Sequence, residues 1–124
     1  MMKKKEEDLK QNKKYVGIHL IAEFWGGKTI ESPQRIKAIL AEAARVSKNT
    51  ALGIKIHKFN PHGITGFILL DESHISIHTW PEMKYVAIDI FSCGKDSQPY
   101  RGLEYLKKEF KPTKVKVKEI KRGR

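Results

Sequence analysis

The stretch ITGFILLDESHISIHTWPEMKYVAIDIF, residues 64–91, decides the fold. Ile64 to Asp71 is an apolar run of the length of one strand, too short for a stable helix and rich enough to be buried on both faces. Ile75 and Ile77 alternate with polar residues, as on a half-buried strand. Trp80-Pro81-Glu82 ends that strand, because proline lacks the N–H that a sheet ladder needs. Tyr85 to Phe91 alternates again. Short strands joined by tight turns favour a mostly antiparallel sheet.

Upstream, Leu52 to Phe59 alternates, with Leu52, Ile54 and Ile56 on one face, and Asn60-Pro61-His62-Gly63 has turn chemistry. Ser32-Pro33 reads as a helix N-cap followed by proline in the first turn. The stripe Ile36, Ile39, Leu40, Ala43 and Ala44 then gives that helix one buried face. Before it, Tyr15 to Ala22 has strand content, with Val16, Ile18, Leu20 and Ala22 on one side, and Gly26-Gly27-Lys28 is a turn. Downstream, a second helix spans about Pro99 to Phe110, with Tyr100, Leu103, Leu106 and Phe110 as its buried stripe and Pro112 as its stop. Val115 and Val117 in KVKVK read as an edge strand whose lysines resist edge-to-edge aggregation. The order is strand, helix, three or four strands, helix, strand. It predicts an α+β fold in two layers, a mostly antiparallel sheet with both helices on one face. So short a chain has nothing left to cover the other face, so a homodimer is expected.

The chain has 124 residues, one domain's worth, and 40% of them are hydrophobic. Its formal charge of +11 is unevenly spread: residues 1–14 carry +3, residues 107–124 carry +7, and residues 15–106 only +1. The basicity belongs to a leader and a C-terminal segment. Without repeated aromatics or a nucleic-acid motif it reads as solvated charge, so no nucleic-acid partner is expected. Residues 1–14 are expected to be a poorly ordered basic leader and 15–124 a single domain. No apolar run reaches the ~20 residues of a membrane helix and no secretory signal is visible, so no membrane partner and a cytoplasmic location are expected. The single cysteine, Cys93, fits a reducing compartment.

Chemistry-bearing residues concentrate at 71–82, DESHISIHTWPE. His74 and His78 have the spacing of a zinc-protease helix, but Ile75 stands where that motif needs glutamate. On a strand the two rings start about 13 Å apart, too far for one zinc ion, so no metal is expected. Ser73 and Ser76 lack the glycine-flanked elbow of a serine hydrolase.

Taken together, ESHISIHTWPE at 72–82 and FSCG at 91–94 closely resemble the small prokaryotic class of S-adenosylmethionine decarboxylase proenzymes. GIHLIAEFWGG at 17–27, HKFNPHGITG at 57–66 and the closing KRGR extend the resemblance over nearly the whole chain outside the leader. It implies self-cleavage between Glu72 and Ser73, giving a β chain, 1–72, and an α chain, 73–124, whose Ser73 becomes a covalent pyruvoyl cofactor. That group would form a Schiff base with S-adenosylmethionine, and the decarboxylated product would supply aminopropyl groups for spermidine synthesis. By resemblance, His78 is the processing base and Cys93 the proton donor to the substrate carbon. Thr65 supports processing; it replaces the serine of many relatives but keeps the hydroxyl. Glu82 would bind the ribose diol, and Trp80 and Phe59 would lie beside the substrate, Phe59 from a second protomer if the site spans a dimer interface. Two alternatives stay open: a paralogous pyruvoyl-dependent arginine decarboxylase sharing the Glu-Ser-His core, and an inactive, basic RNA-binding version of the fold.

Overall fold

The structure, a computed structural model, describes residues 15–123; the expected leader, residues 1–14, lies outside them. The elements in chain order are β1 (Gly17–Trp25), α1 (Pro33–Val46), β2 (Ala51–Lys58), β3 (Ile64–Leu70), β4 (His74–Trp80), a 3-10 turn (Pro81–Met83), β5 (Tyr85–Cys93), α2 (Pro99–Phe110) and β6 (Lys114–Arg122). The strands form one sheet in the order β2-β3-β4-β5-β1-β6, antiparallel at every junction. This is the expected α+β architecture, with four strands between the helices.

Ser32 caps α1 as its sequence predicts, its hydroxyl accepting a 3.1 Å hydrogen bond from the Arg35 N–H. Ile36, Ile39, Leu40, Ala43 and Ala44 are buried against the sheet. Their partners are the inward residues of each strand, among them Leu20, Phe24, Ile68, Ile75, Ile77, Ile88 and Ile90. Burying one such side chain contributes about 1.5–3 kcal/mol, which makes this single layer of contacts the main source of stability. β1 runs three residues beyond Ala22, because Phe24 enters the core and Trp25 pairs with both Tyr85 and Lys114. It ends at Gly26, whose φ of +73° suits glycine.

Two expected core positions are exposed. Leu52 stands at a register shift between β2 and β3, where the bulge turns it outward, 60% exposed. Tyr100 in the first turn of α2 also faces out, its hydroxyl donating to Glu119, while Gly102 takes the buried place against Ser47. The strand face turned away from the helices has no covering layer among the described residues. Phe67 and Leu69 on β3 and Trp80 on β4 are exposed there. No described helix is long and apolar enough to cross a membrane.

Candidate active site

β3 and β4 form a hairpin. Leu69 pairs with His74, and the Leu70 N–H donates to the Ser73 carbonyl at 2.9 Å. Asp71 and Glu72 are therefore the two tip residues, and the Glu72–Ser73 bond is the one by which the chain leaves the tip. The tip is tied down on both sides. Toward β2, the Asp71 N–H donates to the Thr50 carbonyl at 2.9 Å. Toward β5, the Cys93 thiol donates to the Glu72 carbonyl oxygen. Glu72 is buried although it occupies a turn, because its side chain packs over Gly94. A Cβ at position 94 would run into the Glu72 carboxylate, and Gly94 has a φ of +98°, so glycine is required here.

Ser73 Oγ is buried and makes no hydrogen bond. Leaving a hydroxyl in that state costs about 1–3 kcal/mol, an unusual expense in a short hairpin. The unbonded hydroxyl belongs to the residue just after a carbonyl that a thiol already polarises. A nucleophile, an electrophilic carbon and a donor aimed at the oxygen where negative charge would develop are thus gathered at one peptide bond.

A second group of residues gathers at the other end of β4. Thr65 and His78 face each other across the β3–β4 pair, and Thr65 Oγ1 and His78 Nδ1 are hydrogen-bonded at 3.0 Å. They line a pocket of about 380 Å³ with Phe59, His62, Trp80 and Glu82. That volume is within the range of ordinary small-molecule sites. Phe59 stands on the turn after β2, its ring 4.5 Å from the His57 ring in an edge contact. Trp80 lies 5.3 Å from the Tyr85 ring, and Glu82 is held by the 3-10 turn that Lys84 ends in a left-handed conformation. The fold thus brings together five of the sequence-predicted residues, Phe59, Thr65, His78, Trp80 and Glu82. It does not bring them to Ser73 and Cys93. Five residue steps lead from Ser73 to His78, about 16 Å at 3.3 Å per residue.

Between the two groups lies a polar network the sequence did not reveal. His19 donates to Asp89 at 3.0 Å, and the Ser76 hydroxyl donates to the other Asp89 oxygen at 3.5 Å. His19 and Asp89 are 70 residues apart, so no local spacing signals the pair. His74 stacks on Phe67 with ring centroids 5.4 Å apart. Burial first, then the neighbouring His19, hold the His74 pKa below its ordinary value, with Asp89 pulling the other way. Tyr85, partly buried and donating to Glu23 at 2.7 Å, is pushed up to about 12, by desolvation first and the Glu23 carboxylate second. Among the described residues no three His, Cys, Asp or Glu side chains stand close enough to hold a metal ion. A larger groove, about 460 Å³, runs between α1 and α2 beside Arg45, Lys48, Arg101 and Lys108, but it holds no nucleophile and lies on the helical layer.

Comparison with known proteins places nearly the whole described chain beside one family. The family model described as S-adenosylmethionine decarboxylase matches residues 18–123. An S-adenosylmethionine decarboxylase proenzyme of Methanococcus maripaludis strain C5 is 42% identical over 112 residues, 89% of this chain and 92% of the relative. The proenzyme of the same name from Thermotoga maritima is 42% identical over 113 residues, 90% of this chain and 87% of the relative. The crystal structure of the adenosylmethionine decarboxylase from Aquifex aeolicus VF5 superposes with a TM-score of 0.84 at 32% identity, covering 90% of this chain and 94% of that one.

Proposed function

Because the chain belongs to the S-adenosylmethionine decarboxylase family, we propose that it is a proenzyme that cuts itself between Glu72 and Ser73 and then decarboxylates S-adenosylmethionine. The observation that carries this reading is the buried, unbonded Ser73 hydroxyl beside a carbonyl that Cys93 holds.

Cleavage begins when Ser73 Oγ adds to the Glu72 carbonyl carbon. The C–O bond forms, the C–N bond breaks, and the hydroxyl proton passes to the Ser73 nitrogen, which leaves as a free amine. The Cys93 thiol donates to the oxygen that turns anionic on the way, and removing one such donor costs about 10²–10³ in rate in other enzymes. A base then takes the Ser73 α-proton, and the Cβ–Oγ bond breaks with Glu72 leaving as a carboxylate. Water replaces the nitrogen of the resulting enamine, ammonia departs, and residue 73 is left as a pyruvoyl group that caps the chain at His74. When formed, that group supplies an electron sink for the pair released as carbon dioxide leaves the substrate.

The base for the second step is His78, an imidazole that the Thr65 hydroxyl holds in place. Along its own β4 it stands about 16 Å from Ser73, so the His78 that serves a given Ser73 belongs to a second copy of the chain. Two copies stacked through their uncovered sheet faces, related by a two-fold axis, would set the Ser73–Cys93 end of each against the His78 pocket of the other. They would also cover Phe67, Leu69 and Trp80, which are exposed in one copy.

In the completed site Phe59 and Trp80 offer ring faces to the adenine or the sulfonium, and Glu82 offers two acceptors to the ribose diol. Cys93 returns the proton to the substrate carbon, a task that suits a thiol. The product would serve as an aminopropyl donor for polyamine synthesis. The relatives described above bear the adenosylmethionine name, which favours that substrate over arginine.

The cleaved protein should release labelled carbon dioxide from carboxyl-labelled S-adenosylmethionine and do so orders of magnitude more slowly from arginine. Faster release from arginine would overturn the substrate assignment. Cys93 can be tested separately. Cys93→Ala should lengthen the half-time of chain cleavage about tenfold or more and abolish lasting turnover. Cys93→Ser keeps a donor and should cleave faster than the alanine variant. Wild-type cleavage rates in Cys93→Ala, followed on denaturing gels, would remove the thiol from the first step.

A further inference from the structure

The β2–β3 turn carries two walls of the pocket, Phe59 and His62, and its base is well fastened. The Phe59 N–H donates to the Gly63 carbonyl at 2.8 Å, and the Ile64 N–H donates to the Thr79 hydroxyl at 2.9 Å. Neither bond reaches the tip, residues 60–62. The tip is held from outside, by a residue that does not line the pocket. His62 Nδ1 donates to Glu31 Oε1 at 3.0 Å, and the same oxygen lies 3.7 Å from the Lys58 ammonium. Lys58 also donates to the Phe59 carbonyl at 3.0 Å. Glu31 is itself fixed by its place in the chain. It precedes the N-cap Ser32, and α1 beyond it is packed on the sheet through five buried side chains. A carboxylate there also sits favourably near the positive end of a helix. The His62 hydrogen bond, more than any other influence, lowers the Glu31 pKa, so the residue is an anion at neutral pH.

We propose that Glu31 is a positioning residue for the substrate: anchored at the start of α1, it holds His62 and Lys58 and so fixes the Phe59–His62 wall of the pocket. The inference rests on the decarboxylase reading for its substrate. Glu31 touches neither the Glu72–Ser73 bond nor Cys93. It therefore acts on how well the substrate is held and leaves chain cleavage and the chemical step unchanged. Small displacements of a positioning wall are costly, because binding and orientation depend on contacts set to within fractions of an ångström.

Purified, self-cleaved wild type, Glu31→Ala and Glu31→Gln are assayed for carbon dioxide release over a range of S-adenosylmethionine concentrations. Glu31→Ala should raise KM about fivefold with kcat within about twofold of wild type, the pattern of lost binding. Glu31→Gln keeps an oxygen that can accept from His62 and should recover most of the affinity. An unchanged KM in Glu31→Ala overturns the proposal, as does a fall in kcat at constant KM or a glutamine variant no better than alanine. Failure of the wild type to act on S-adenosylmethionine at all is a separate result, which overturns the decarboxylase reading.

Discussion

Ser73→Ala should stay a single chain, whereas the wild type should separate on a denaturing gel into residues 1–72 and 73–124. The difference is expected to be complete, since alanine offers no oxygen to attack the Glu72 carbonyl and an unassisted peptide bond is stable on any laboratory timescale. The methyl of alanine fits where the serine Cβ stands, and the hydroxyl removed makes no hydrogen bond. The fold should therefore lose nothing, and relief of a buried, unpartnered hydroxyl should leave the variant as stable as the parent or more so. Intact-mass measurement and a thermal melt on the same sample check both halves of the expectation. A cut at the same bond in Ser73→Ala would point to a contaminating protease and end the self-cleavage reading.

The second large effect concerns two inactive variants that should restore one another. His78→Ala has the nucleophile but not the base, and should stall as an ester that hydroxylamine cleaves. Ser73→Ala has the base but not the nucleophile. Because one strand holds Ser73 and His78 about 16 Å apart, in the proposed dimer the base for each serine would come from the other copy. Unfolded together and refolded, the two variants form mixed dimers in which the His78→Ala chain meets an intact imidazole. That chain should acquire a pyruvoyl terminus while the Ser73→Ala chain stays whole, a change from none to about half of all dimers in an equal mixture. Mass spectrometry of differently tagged chains reads the result. Mixed dimers recovered through both tags but showing no mature terminus would place the whole site within one copy or take the base role from His78.

Much of the fold was legible because its signals are local. Ser32-Pro33 followed by the Ile36–Ala44 stripe is a helix by capping and period alone, and the alternation in 75–77 and 85–91 gives strands by period two. Leu52, on the apolar face of its strand, and Tyr100, on the expected buried stripe of its helix, show the limit of such local signals. Their spacing is right, but a register shift and a first helical turn, set by tertiary packing, turn them out. At the site, Thr65 and His78 were both picked from sequence, and the β3–β4 register explains why they meet. What the sequence hides is distance. Residues 72–82 look like one cluster in print, whereas the rise of a strand divides them into two ends of a sheet. Glu31 and His62 were invisible as a pair, since the loop and the turn that bring them together are 31 residues apart.

The strand order has a consequence of its own. A break after Glu72 would assign β1, β2 and β3 to one polypeptide and β4, β5 and β6 to the other. In the sheet these do not form two blocks, because β1 lies between β5 and β6. Three of the five strand junctions would join different polypeptides, and the two helices, one from each polypeptide, pack against one another. Separating the pieces would mean dismantling the whole sheet, so they stay together without a covalent link. Reassembly is another matter. The intact chain finds its partners by closing loops within itself, but two severed pieces must first meet by diffusion, at a rate set by their concentration. Maturation would thus turn a unimolecular folding problem into a bimolecular one, and a mature molecule once unravelled in dilute solution would have lost its easiest way back.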